Sequence, residues 1–333
     1  NILKEQVEAL SGQSSPEGDI IGESPIMQEV FATINKLSST DANILILGEN
    51  GTGKDVIARL LYRYSPRYGK PFVTIDLGSI PEQLFESELF GFEKGAFTDA
   101  KKSKAGRMEV ATNGTLFLDE IGNLSLPMQS KLLTAIEKRQ ISRLGSTQTM
   151  PIDVRLICAT NADIRHMVDE GSFRQDLLYR INTIEIHIPP LRERGNDIIL
   201  LAEYFLDRYA RKYKKEMHGL TREAKNKLLK YEWPGNVREL QHTVERAVIQ
   251  LQADFRHLGN HLVYGTVLCP ELTQLVFGDG EIGVHFRIVG NYREGLRHAG
   301  TDKCADAERK RAYHSVAGTF YLGIGEIVAG IRF

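Results

Sequence analysis

The chain has 333 residues, enough for one large domain or about two to three ordinary ones. Hydrophobic residues make up 42% and charged residues 26%, the balance of a soluble globular protein, and no apolar run approaches the roughly 18 residues of a membrane span. With Lys plus Arg at 42 and Asp plus Glu at 43, a net charge of −1 excludes a global field for nucleic acid.

The cysteines, Cys158, Cys269 and Cys304, are far apart and show no disulfide or metal spacing, so a reducing cytoplasm is expected. No signal peptide is visible. The chain begins at Asn1 rather than Met, which reads as a fragment with something upstream cut away. Residues 1–10 carry helical spacing at Ile2, Val7 and Leu10, and a Ser/Gly/Pro-rich stretch follows. Residues 1–19 therefore read either as a linker from an upstream domain or as a frayed end.

From residue 20 the texture changes. Met27, Val30, Ile34 and Leu37 form a helical stripe. Asn43 to Gly48 is a short apolar run that suits a buried parallel strand, and DVIARLLYRY after the turn is helical by period. PFVTID (71–76), GTLFLDEIG (114–122), VRLICATN (154–161) and TIEIHIP (183–189) read as further strands, with helical patterns such as MQSKLLTAIEKRQ between them. Alternating strands and helices predict an α/β fold with a parallel sheet covered on both faces over 20–190. Residues 191–253 read as a small helical domain, broken by a WPGN turn at Trp233 to Asn236. The stretch 254–333 is glycine-rich, has no helix-turn-helix pattern or basic stripe, and is left unassigned.

GENGTGKD runs Gly48, Glu49, Asn50, Gly51, Thr52, Gly53, Lys54, Asp55. Lying behind a buried strand and ahead of a helix, it has the context of a phosphate-binding loop. Its glycines let backbone N–H groups close around phosphate oxygens, and Lys54 would reach the β- and γ-phosphates. Asp55 stands where Ser or Thr usually supplies a hydroxyl to Mg²⁺. LFLDE carries Asp119 and Glu120 to the C-terminal end of a strand, where ligands of open α/β sheets sit. Asp119 would hold Mg²⁺, directly or through water, and Glu120 would orient and polarise the attacking water. Thr160 and Asn161 end another strand. They could hold that water or the γ-phosphate, although alone they signal only a turn. Arg174 and Arg180 in FRQDLLYR are ordinary surface charges unless a ring brings them to a neighbour's γ-phosphate. Arg238 in GNVREL could report nucleotide state or be an exposed helix charge.

In this order, IIGESPIMQEV, GENGTGKD, ESELFGFEKGAFTDA, NGTLFLDEIG, RLGS, VRLICATNAD, FRQDLLYRIN, IPPLRER and WPGNVREL resemble the central AAA+ ATPase domain of NtrC-type activators of sigma-54 RNA polymerase, over about Ile20 to Leu251. The resemblance implies a P-loop NTPase subdomain with a helical lid, ATP and Mg²⁺ as cofactors, and a cytoplasmic, self-assembled ring, a hexamer. It adds Ile21 to the nucleotide contacts. It implies that Gly95, Ala96, Phe97, Thr98, Asp99 and Ala100 form the loop that meets sigma-54. An upstream receiver or sensor domain, as in two-component systems, is implied in the full-length protein, with DNA bound only through a domain not recognised here.

Three residues depart from the family pattern. The residue after the loop lysine is usually Glu, so Asp55 is one methylene shorter and Mg²⁺ falls mainly to Asp119 and water, with Asp55 acting through water. Asp99 replaces the second Gly of GAFTGA. Asp76 stands where an Asn usually holds the catalytic Glu at rest. Two acids there, Asp76 and Glu120, would repel. The expected function is an ATPase that remodels sigma-54 polymerase. Alternatives are an AAA+ remodeller of another target, or a nucleotide-dependent binding protein that scarcely hydrolyses.

Overall fold

A computed structural model describes residues 21–215, 217 and 219–261, with two short strands, Val276–Phe277 and Val284–His285, that pair antiparallel. The expectations for residues 1–19 and for most of the stretch after 254 lie outside the described residues. The chain divides into two compact units, Asn1–Pro190 and Leu191–Phe333.

The first unit is built on five parallel strands: β1 (Ile44–Leu47), β2 (Phe72–Asp76), β5 (Thr115–Asp119), β8 (Arg155–Thr160) and β9 (Ile184–His187), in the order β2-β5-β8-β1-β9. Each lies inside a stretch that the sequence marks as a strand. Alternation along the strands divides their side chains between two layers. Leu45, Val73, Ile75, Leu116, Leu118, Leu156 and Cys158 pack on one face. Ile44, Ile46, Phe72, Phe117, Ile157 and Ala159 pack on the other. The second face is covered by α1 (Pro25–Ser38) and α2 (Lys54–Arg63), through Ile34, Ile57, Ala58 and Leu61. The first is covered by α3 (Phe85–Leu89), α4 (Arg107–Val110), α5 (Leu126–Lys138), α6 (Ile164–Asp169) and α7 (Gln175–Ile181). Covering both faces explains why these strands read as apolar runs rather than alternating ones. Cys158, fully buried at the centre, has its thiol pushed up to about 12 by desolvation, which leaves it inert.

Because every strand runs the same way, β1, β2, β5 and β8 all end on one edge. The register sets Leu47 beside Thr160 and Asp76 beside Asp119. The chain leaves β1 for the far edge strand β2 and returns later to β8 on β1's flank, so a strand-order reversal lies where the Gly48 loop emerges.

Two small antiparallel pairs stand outside the sheet: β3 (Gly91–Phe92) with β4 (Lys104–Ala105), and β6 (Gln140–Ser142) with β7 (Thr149–Pro151). The first pair needs glycine twice. Gly91 has φ 81°, and a Cβ there would lie 2.5 Å from the Gly106 nitrogen, while one on Gly106 would lie 2.2 Å from the Phe90 carbonyl carbon.

In the second unit, α8 (Asp197–Lys212), α9 (Arg222–Lys230) and α10 (Asn236–His261) follow one another. Thr221 caps α9, accepting from the Ala224 N–H at 3.1 Å. Trp233, the only tryptophan of the chain, is fully buried, and its indole N–H donates to the Leu228 carbonyl at 2.8 Å. The Asn236 side chain accepts from the Leu191 N–H at 2.7 Å, tying the first turn of α10 to the start of the unit. Among the described residues no helix is long and apolar enough to cross a membrane.

Candidate functional site

The loop after β1 is the phosphate-loop stretch. Gly51 and Gly53 have φ of 78° and 99°, in the region that favours glycine, and Gly53 caps the N-terminus of α2. The Gly48 N–H donates to the Thr160 carbonyl at 3.3 Å, so the loop is anchored to the end of β8. Lys54 is only 6% exposed; its ammonium donates to the Gly48 and Glu49 carbonyls at 3.0 and 3.4 Å and stands 3.6 Å from the Glu120 carboxylate. A buried lysine held by loop carbonyls and one acid, at the first position of α2, puts a cation at a helix N-terminus, which suits a phosphate.

Asp119 and Glu120 close β5. Glu120 has φ 55° and ψ 47°, a left-handed conformation costing about 1–3 kcal/mol for a residue with a side chain, and its N–H donates to Asp119 Oδ1 at 3.0 Å. The Glu120 carboxylate stands by Lys54, and the Lys54 charge also acts on Asp119. Burial, and then the charge of Glu120, push the Asp119 carboxyl above the usual carboxylate range, while Lys54 partly offsets them. A divalent cation would relieve that penalty, so the donor set fits Mg²⁺.

The sign of the Asp119 shift gives a testable stability effect. A folded-state value raised above the unfolded one means that stability present in acid is lost as pH rises through the folded value. Asp119→Asn is therefore expected to raise the melting temperature of nucleotide-free protein at pH 8, with a gain that shrinks as pH falls into the carboxylate range. Differential scanning calorimetry at both pH values checks this, and an equal gain at each would contradict it.

Asp76 sits beside Asp119 in the register, and its Oδ1 accepts from its own loop's Gly78 N–H at 3.0 Å. A Cβ on Gly78 would lie 2.8 Å from Asn123 Nδ2, 3.4 Å from Asp76 Oδ1 and 3.8 Å from Glu120 Cβ, so these three side chains crowd one point. Thr160 is buried, with its Oγ1 accepting from the Ala162 N–H at 3.1 Å, whereas Asn161 is exposed. Ile21 is half-buried and Asp55 exposed.

Arg174 caps the start of α7 and Arg180 lies in its last turn: Arg180 is exposed, and Arg174 is engaged by Asp176 and Ser130. Arg238 is exposed on the first turn of α10, in the second unit. The loop Gly95 to Ala100 forms its own tight turns, with Gly95 N–H to Ala100 O at 2.9 Å and Ala100 N–H to Phe97 O at 3.0 Å. Phe97 is 44% exposed and rests on Phe92, ring centroids 4.9 Å apart.

Sequence reasoning assigned no role to Arg143 of the RLGS stretch. Its guanidinium takes both oxygens of Glu109, at 2.7 and 3.0 Å, and Glu93 at 3.0 Å. The backbone of 91–93 pairs with Leu144 in both directions at 2.9 Å. The 140–151 hairpin thus braces the base of the Gly95 to Ala100 loop. Ala96 lies so close that a Cβ on Gly145 would come within 2.9 Å of its Cβ. The acid-Arg-acid set is visible in the sequence, but its members are separated by intervening elements.

A family model described as the sigma-54 interaction domain matches residues 20–187, and one described as the AAA+ ATPase lid domain matches residues 192–266. The chain belongs to the sigma-54 interaction domain family. It is 48% identical over 246 residues to the transcriptional regulatory protein ZraR of Salmonella typhimurium strain LT2, covering 74% of this chain and 56% of that protein. It is 47% identical over 261 residues to the alginate biosynthesis transcriptional regulatory protein AlgB of Pseudomonas putida, covering 77% and 58%. A crystal structure of NtrX from Brucella abortus in complex with ADP superposes with a TM-score of 0.67 at 32% identity, over 76% of this chain and 56% of that one. NtrX in complex with ATP gives 0.66. The chain thus spans just over half the length of these relatives. The sigma-54 interaction domain places Gly48 to Asp55, Asp119 and Glu120 within its matched region, on the AAA+ fold that the sequence leads one to expect.

Proposed function

We propose that this chain is the ATP-hydrolysing module of a transcriptional activator that remodels the sigma-54 RNA polymerase holoenzyme. The observation that carries the reading is the convergence of Lys54 and Glu120, 3.6 Å apart, where the β1 loop and the end of β5 meet on one edge of the sheet. The names of the curated relatives and the nucleotide complexes of NtrX support it.

In this reading the N–H groups of Gly48 to Lys54 and the Lys54 ammonium bind the phosphates, with Ile21 beside the nucleotide. Asp119 would hold Mg²⁺, with Asp55 reaching it through water, and the ion would supply positive charge to offset that of the phosphates. Glu120 accepts a proton from the attacking water, and Thr160 and Asn161 fix that water or the γ-phosphate. Arg174 and Arg180 act on the neighbouring subunit's γ-phosphate in a hexameric ring. The loop Gly95, Ala96, Phe97, Thr98, Asp99, Ala100 contacts sigma-54. A receiver or sensor domain and a DNA-binding domain belong to the full-length protein, which works in the cytoplasm.

The test is ATPase rate against protein concentration, with Glu120→Ala as control. A rate per subunit that rises with concentration supports assembly and arginines in trans. An absent rate argues for a binding protein that scarcely hydrolyses, and a measurable rate that does not change with concentration argues against arginines supplied on assembly. Pull-down of purified sigma-54 with a transition-state nucleotide analogue then separates this reading from a remodeller of another target.

Asp76 is the switch position of the same site. Its carboxylate offers Glu120 no hydrogen-bond donor, so the resting hold on Glu120 is weak. Asp76→Asn supplies an amide N–H at that point and is expected to lower basal turnover severalfold. Unchanged basal turnover would count against this role.

A further inference from the structure

Gln129 on α5 is completely buried and makes three hydrogen bonds. Its Nε2 donates to the carbonyls of Leu124, at 2.8 Å, and Ser172, at 3.0 Å. Its Oε1 accepts from the Arg174 N–H at 2.8 Å. The amide has one workable orientation, since flipping it would set N–H against N–H and oxygen against two carbonyls.

These partners belong to two separate functional stretches. Leu124 ends the short turn Ile121–Asn123 that follows Glu120, a turn closed by the Asn123 N–H on the Glu120 carbonyl at 3.0 Å. Ser172 and Arg174 open α7. The next residue on α5, Ser130, accepts from Arg174 Nη1 at 3.1 Å, and Asp176 takes the other edge of the guanidinium at 2.9 and 2.5 Å. Adjacent residues of α5 therefore locate both the backbone and the side chain of Arg174.

We propose that Gln129 is a positioning residue that sets Arg174 in register with the turn carrying Glu120, so that the arginine offered to a neighbouring subunit moves with its own subunit's hydrolytic turn. This rests on the reading that Arg174 acts in trans. Gln129 touches no phosphate in that reading, so its loss falls on turnover and not on nucleotide affinity. A trans arginine is worth about 10³–10⁵ in rate, and a misplacement of about 1 Å costs about 10²-fold.

The test uses equal mixtures of subunits. Gln129→Met alone is expected to bind ADP as the parent chain does and to hydrolyse ATP about 100-fold more slowly. Glu120→Ala subunits do not hydrolyse but keep their own Arg174. Mixing the two should restore turnover at each Gln129→Met site that borders an intact arginine. A purely structural defect in Gln129→Met would not be repaired by a neighbour. Absence of restoration, or loss of ADP binding, overturns the proposal. Arg174→Ala mixed with Glu120→Ala is the control: if that pair is not restored, the trans reading fails and this inference with it. If only the Gln129→Met mixture fails, the inference alone is wrong. Should Gln129→Met not fold, Ser130→Ala keeps the buried amide, and it should give a smaller loss with the same restoration; no loss in Ser130→Ala then overturns the proposal.

Discussion

Glu120→Gln is expected to cut ATP turnover by about 10²–10⁴-fold and to leave nucleotide affinity nearly unchanged, the usual cost of removing a positioned general base. Glutamine keeps the size of the side chain and the left-handed backbone at φ 55°, so the Asp119–Glu120 turn survives. What disappears is the charge that accepts a proton from water. Removing it relieves repulsion on the half-buried Asp119 carboxylate, but it also takes away the one acid that faces the buried Lys54 ammonium. Steady-state phosphate release and ADP titration measure the two quantities separately. A variant retaining half the parent's turnover would sink the role assigned to Glu120, and with it the hydrolytic reading of the β5 edge.

Lys54→Ala should act on the other quantity. The ammonium is the one cation that hydrogen-bonds the carbonyls of Gly48 and Glu49 among the described contacts, and it faces Glu120. Its removal takes away a charge-assisted hydrogen bond to phosphate worth about 1.5–3 kcal/mol. Affinity for ATP should fall about 10–100-fold, since each 1.4 kcal/mol is tenfold. The backbone amides and the α2 N-terminus remain, so some binding persists. Titration of a fluorescent ATP analogue reads the effect directly. Affinity within error of the parent chain would mean that the phosphates are held elsewhere. Together the two variants separate binding from chemistry: one is expected to bind without hydrolysing, the other to do neither at low nucleotide.

The strands and the phosphate loop were readable in the sequence because their signals are local. A run such as Ile44–Leu47 announces a strand buried on both faces, and glycines followed by Lys54 announce a tight loop entering a helix. The order of motifs from Gly48 to Arg238 carried the family, and the family carried the expected fold. The α/β sheet and the lid followed from these without knowledge of any contact. The small pairs Gly91–Phe92 with Lys104–Ala105 and Gln140–Ser142 with Thr149–Pro151 were not readable, because two or three residues are too few to show a period.

The tertiary structure alone decided which side chains meet. Gln129 looks like one polar residue on an amphipathic helix, and only folding reveals it as buried and bonded to Leu124, Ser172 and Arg174. Arg143 reads as a loop charge until the hairpin brings it between Glu93 and Glu109. Asp76, Asn123 and Glu120 converge because parallel register sets the ends of β2 and β5 side by side. The physical reason is common to all three. Periodicity and loop chemistry report how each residue relates to its sequence neighbours, and so they determine elements. Hydrogen bonds between residues tens of positions apart depend on sheet order and register, which the packing of whole elements selects.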